Sequence, residues 1–179
     1  MKTSVRGKNN ILTKKEVRYM LNFFGQILLG KRLSKNLYVE VHFVELPEDT
    51  LGLCNPIEDG KRHPREFEIY VDPSLSKKKQ ITTIAHEMVH IMQFARGEFK
   101  ILEQRDIYRW MGQKVVYSRK QYRNMPWEVE AHCSEKYLYG FYTKHCRRNK
   151  LEFDNAKKGA SNRTVSSRLA IQAEGCEVS

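Results

Sequence analysis

No stretch of this chain stays apolar for the roughly eighteen residues that a helical membrane span requires, so an integral helical membrane protein is excluded. Cysteine is scarce: Cys54, Cys133, Cys146 and Cys176 are widely spaced and form no C-x-x-C pair. A chain of 179 residues can bury a core without covalent staples, so free thiols in a reducing cytoplasm are expected. No secretory leader is expected either. The opening MKTSVRGKNN is basic and runs into Lys14, Lys15, Glu16 and Arg18, which do not make the apolar region of a signal peptide. Acidic residues are in deficit, 21 against 32 Lys and Arg, and the resulting net charge of +11 makes an anionic partner such as nucleic acid a candidate. The sequence shows no internal repeat or low-complexity tract, and its length suits one domain with loose ends.

What is present is a helix and strand pattern. Thr13 and Glu16 have capping-box spacing, and Val17, Met20, Leu21, Phe24 and Leu28 follow at helical period until Gly30. LYVEVHFVE, from Leu37 to Glu45, alternates with Leu37, Val39, Val41 and Phe43 on one side, which predicts a half-buried strand. A short strand is expected from Leu51 to Asn55, and a turn at Asp59-Gly60. Another strand is expected from Glu66 to Val71, with Phe67, Ile69 and Val71 inward. Short connections favour antiparallel pairing of the three. A long helix follows, with Ile81, Ile84, Ala85, Met88, Met92 and Ala95 as its core stripe and Gly97 as its stop. Arg109 to Tyr117 suggests a hairpin around Gly112, and Pro126 suits the first position of a third helix ending near His145. The expected fold is therefore α+β: a small, mostly antiparallel three-stranded sheet packed with three helices. Residues 1–12 read as a flexible basic arm, 13–146 as the domain and 147–179 as a polar, basic, disordered tail.

Chemistry concentrates at His86-Glu87-Met88-Val89-His90, an H-E-x-x-H motif. Histidines four apart on a helix lie one turn above each other, so both imidazoles can face one zinc ion while Glu87 reaches its water. With six His in the chain and its Glu content, roughly 0.02 such motifs are expected by chance. The motif falls mid-helix, on the side expected to lie away from the apolar stripe. Two solvated surface histidines are the bland alternative. His42 and His63 read as an outward strand residue and a loop residue.

A catalytic zinc usually has three protein ligands and one open position. A third histidine six residues after the second would require glycine at 93 and histidine at 96, but the chain has Gln93 and Arg96. The remaining donors are Glu128 and Glu130 at the start of the third helix, about 200° apart around it, so only one can face the metal. Glu128 is preferred. Ala131 beside it is small enough for close helix approach, and His132 one turn on can support a ligand by hydrogen bonding.

AHEMVHIMQFARGEF, then RWMG, then YRNMPWEVEA, resembles small metallopeptidase-like proteins of bacteriophages and bacteria in which a Pro-Trp-Glu-x-Glu-Ala motif follows the zinc helix. The likeness covers roughly residues 81–132. Glu128 followed by Ala131 is also similar to the E-x-x-A third-ligand pattern of gluzincins; many of those have aspartate at the next position, where this chain has His132. The resemblance implies a minimal zincin-like domain with one Zn2+ on His86, His90 and Glu128, and a cytoplasmic location, in the host if phage-encoded.

The expected activity is zinc-dependent peptide hydrolysis, with Glu87 as general base and a polypeptide as substrate. Tyr122 or Tyr117 is the expected oxyanion donor. The strand Glu66 to Val71, read as a sheet edge, would accept an extended substrate. Two other functions fit the composition: a nucleic-acid-associated zinc protein, and an interaction module with a structural zinc. No membrane partner is expected.

Overall fold

A computed structural model describes residues 1–58, 61–102 and 107–159, with side chains omitted at 119 and from 150 onward. Contacts divide it into residues 1–144 and a second unit starting at His145. The first unit carries the fold. Its order is β1 (Lys2–Gly7), α1 (Lys14–Lys35), β2 (Tyr38–Phe43), β3 (Gly52–Pro56), β4 (Glu66–Val71), α2 (Lys77–Arg96), β5 (Phe99–Ile101), β6 (Ile107–Trp110), β7 (Gln113–Val116), a 3-10 turn (Arg119–Asn124) and the start of α3 (Pro126–Gly159). Among the described residues no helix is long and apolar enough to cross a membrane. The expected turn at Asp59-Gly60 lies outside the described residues.

The α+β class is as expected, but the main sheet differs in strand number and direction. It has four strands in the order β1-β2-β4-β3, with β1, β2 and β4 parallel and only β3 antiparallel. The first correction concerns residues 1–12: Lys2–Gly7 is no arm but an edge strand in register with β2, Val5 against Val41. Its one buried apolar residue is Val5, so it shows no alternating pattern, and its charged ends suit an edge. The second correction is pairing direction. α1 carries the chain from β1 back to the start of β2, and such a crossover produces parallel neighbours. The third is that β4 is interior, flanked by β2 and β3, so β3 and β1 are the edges of this sheet.

One face of the sheet is the core. Val39, Val41, Phe67, Ile69 and Val71 are fully buried, as are Val17, Met20, Leu21 and Phe24 on α1 and Ile84, Ala85 and Met88 on α2. The capping box forms as expected: Glu16 N–H donates to Thr13 Oγ1 and Thr13 N–H to Glu16 Oε2. Gly30 breaks the helical path, yet a further turn continues to Lys35. Asn36, not Gly30, is the cap.

α2 ends at Gly97 as expected, but buried residues lie all round it from Gln80 to Ala95, Glu87 and His90 among them. The motif therefore lies inside the protein, and the surface-histidine alternative is overturned. β5, β6 and β7 form a second, antiparallel three-stranded sheet, larger than the hairpin expected from Arg109 to Tyr117. Met111 and Gly112 link β6 to β7, both at positive φ (47° and 83°), which is the two-residue turn that suits the twist of a hairpin. α3 begins at Pro126 as expected. It continues past His145 to Gly159, so the first part of the expected tail is helical, and residues 160–179 lie outside the described chain.

Candidate metal centre

Two helices meet at the motif. α2 presents His86 and His90 one turn apart, and the first turn of α3 presents Glu128. A carboxylate there is favoured by the helix dipole. Two features seat the start of α3. Ala131 is fully buried and leaves room between the helices. Trp127 is buried and stacks on Phe99 of the second sheet, with ring centroids 4.6 Å apart and planes 24° apart.

Three donor atoms converge. His86 Nε2 lies 3.3 Å from Glu128 Oε2, His90 Nε2 lies 3.4 Å from Glu128 Oε1, and the two Nε2 atoms are 3.1 Å apart. Zinc at bond lengths of about 2.0 to 2.2 Å has tetrahedral edges of about 3.3 to 3.5 Å, close to these separations, so the two imidazoles and the carboxylate are near enough to share one ion. Among the described residues no fourth His, Cys, Asp or Glu joins this group.

The tautomers give an independent test of fit. His86 Nδ1 donates to Glu135 Oε2 at 2.8 Å, and His90 Nδ1 donates to Gln93 Oε1 at 2.8 Å. With the proton of each neutral ring on Nδ1, both Nε2 atoms are bare acceptors aimed at each other and at a carboxylate. Glu128 Oε2 is itself buried without a hydrogen-bond partner. Three acceptors in contact are stable only with positive charge among them, which a metal cation or a proton on one Nε2 would supply.

Electrostatics point the same way. Burial lowers the His86 pKa, but hydrogen bonds to Glu128 and Glu135 outweigh it and raise the value to about 10. Burial likewise opposes protonation of His90, and the Glu128 hydrogen bond and Glu87 charge overcome it. Burial pushes Glu128 up, yet hydrogen bonds with His86 and His90 hold it well below the usual carboxylate range. The site attracts positive charge. Glu87 behaves differently. Burial raises its pKa and the Glu128 and Glu135 charges add to that, against the pull of His90 and His86.

Glu87 faces β3. A Cβ on Gly52 would stand 2.4 Å from Thr83 Cγ2 and 2.9 Å from Glu87 Oε1, so only glycine lets this edge strand come so close to the carboxylate. Cys54 on the same strand is also held near Glu87, and burial followed by the Glu87 charge raises its thiol well above the ordinary value. Tyr122, in the 3-10 turn just before α3, hydrogen-bonds Glu128; burial and then this bond push its phenol far above its usual range. Tyr117 stands behind it, ring against ring at 6.2 Å.

Sequence reasoning missed two participants, Glu135 and Gln93. Glu135, not His132, supports His86. It lies two turns after Glu128 on the same face of α3, and that i+7 spacing was the available signal. His132 instead lays its ring on His86 at 4.7 Å and pairs with Glu135 at 3.5 Å. Gln93 is fully buried; beyond its bond with His90, its Nε2 donates to Trp127 O and Glu130 Oε2, both at 2.9 Å. Glu130, the competing third ligand, thus bonds the residue that orients His90 and does not join the three donors.

Gln93→Leu removes that orientation with little change in volume. If the centre holds zinc, the dissociation constant of this variant is expected to rise about 10- to 100-fold, measured by competition with a chromogenic chelator. An unchanged constant would show that Gln93 does not position His90. No protein-family model, curated protein or solved structure matches this chain, so the chemistry of the centre is read from its own residues.

Proposed function

We propose that the protein is a zinc-dependent peptidase of gluzincin type, with a zincin-like arrangement of the HExxH helix and the helix bearing the third ligand. The observation that carries this reading is the convergence of two imidazole Nε2 atoms and one carboxylate within 3.1 to 3.4 Å, beside a buried glutamate outside that group. Three protein ligands with no fourth among the described residues match a catalytic rather than a structural zinc. His86, His90 and Glu128 would hold the ion, which supplies a Lewis acid and lowers the pKa of a coordinated water toward neutrality.

The chain's own residues supply the rest. Glu87, poised by burial toward a higher pKa, takes the proton of the attacking water and returns it to the leaving amine. Tyr122, beside Glu128, donates its phenolic hydrogen to the developing oxyanion. A peptide is favoured as substrate because β3 is a sheet edge running past Glu87 at Gly52, where an extended chain can add as a further strand.

The deciding experiment is cleavage of an unfolded polypeptide such as casein by the full chain with zinc at this centre, followed by gel and mass spectrometry. Cleavage should stop on chelation and return with zinc. Metal-loaded protein that leaves unfolded polypeptides intact sinks the reading.

One observation favours a second activity on nucleic acid. Arg109 and Lys114 are direct cross-strand partners in the second sheet, two like charges side by side in a chain of net charge +11, a combination that phosphate groups suit. Duplex DNA binding that weakens steeply with salt, and with a shallower slope in Arg109→Ala, would support it; no binding at low salt would remove it.

A further inference from the structure

The face of the main sheet turned away from the helices carries a second constellation. Glu40 on β2 and Glu68 on β4 are direct cross-strand partners, and His42 and Tyr70 form the next such pair on the same face. Two carboxylates facing each other across strands cost free energy unless positive charge lies between them. Part of that charge comes from β1: Arg6 and Ser4 both donate to Glu40 Oε1. Tyr70 Oη donates to Glu68 Oε2 at 2.9 Å.

Each carboxylate therefore has one oxygen taken by a protein donor and one left over. The two left over, Glu40 Oε2 and Glu68 Oε1, lie 3.8 and 3.6 Å from His42 Nε2. Those separations are too long for hydrogen bonds, and Nε2 is buried with no hydrogen-bond partner at all. The ring does not swing freely to find one, because it is stacked on Tyr70 with centroids 4.9 Å and planes 17° apart. The Glu40 side chain is only 9% exposed, so its spare oxygen is held on the same point. The three atoms all lie within 4.8 Å of one another.

We propose that Glu40, His42 and Glu68 form a second divalent-cation site, bound through His42 Nε2, Glu40 Oε2 and Glu68 Oε1 and independent of the centre on α2 and α3. One imidazole and two carboxylates suit a borderline ion such as zinc. The two imidazole-to-carboxylate separations, 3.6 and 3.8 Å, exceed zinc's tetrahedral edges by a few tenths of an ångström and the third is no more than 4.8 Å, a closure that the partly exposed Glu68 side chain can make. Glu68 is about one-third exposed, which leaves an open side for entry and for water ligands. The ion would supply the charge that the paired carboxylates lack and would fasten β2 to β4.

The test is calorimetric titration of the full chain with Zn2+, repeated on Glu68→Gln, His42→Ala and Glu128→Ala, with circular dichroism to check the fold. Wild type should bind two ions per chain. Glu68→Gln and His42→Ala should each lose one, and Glu128→Ala should lose the other, so failure at one centre is distinguishable from failure at the other. Glu68→Gln is isosteric and faces solvent, so it decides the matter if His42→Ala does not fold. A wild type that binds a single ion, lost in Glu128→Ala, would overturn the proposal, because an imidazolium shared between the two carboxylates would then account for the cluster. So would retention of both ions by Glu68→Gln.

Discussion

Glu87→Gln is expected to lower peptide hydrolysis by about 10²- to 10⁴-fold while leaving zinc in place. The amide has the shape of the carboxylate but cannot accept a proton from water, so what is lost is the proton shuttle. Metal retention follows from geometry, since Glu87 does not belong to the group of donors that converges on α2 and α3. Folding should tolerate the change: burial raises the pKa of Glu87, which means the pocket disfavours charge there and accepts a neutral amide. Steady-state cleavage of a fluorogenic peptide, beside metal content by atomic emission, separates the two effects. A glutamine variant that keeps near wild-type turnover would remove Glu87 from the chemistry.

The second large effect is at Glu128. In Glu128→Ala two bare imidazole nitrogens remain 3.1 Å apart with no carboxylate beside them, and zinc affinity at this centre should fall by more than the roughly 100-fold typical of a lost supporting residue. Activity should fall with it at working zinc concentrations. Glu130→Ala provides the contrast. It removes only a hydrogen bond to Gln93, so the variant should keep its full equivalent of zinc and most of its activity. Metal analysis of both variants in a Glu68→Gln background, purified side by side without added zinc, isolates this centre and decides between the two glutamates. If Glu128→Ala keeps the ion and Glu130→Ala loses it, the centre is built differently from the geometry described above.

The elements that were legible in the sequence are those whose side chains repeat with a clear period. α1 and α2 announced themselves through buried stripes, β2 and β4 through strict alternation, and His86, Glu87 and His90 through spacing that chance seldom produces. β1 was illegible because an edge strand with a single buried residue, Val5, has no period to detect. Parallel pairing was illegible because it depends on where α1 carries the chain, which is a property of the whole fold. At the centre, the ligands could be chosen by residue chemistry, while their supports could not. Gln93 looks like an ordinary polar residue on a helix, and only the arrival of α3 gives its amide three partners. His42 looked like an outward strand residue, and its neighbours Glu40 and Glu68 acquired meaning only once β2 and β4 were in register.

The amide of Gln93 grips an imidazole with one end and the opening turn of the neighbouring helix with the other. Whatever pries the two helices apart must also release the ring of His90, so a metal held there would be lost with the docking of the helices, and its withdrawal would loosen the clasp between them. Thermal inactivation and zinc release should accordingly coincide as a single cooperative event, so that a zinc-sensitive dye followed during heating would report unfolding as faithfully as circular dichroism does.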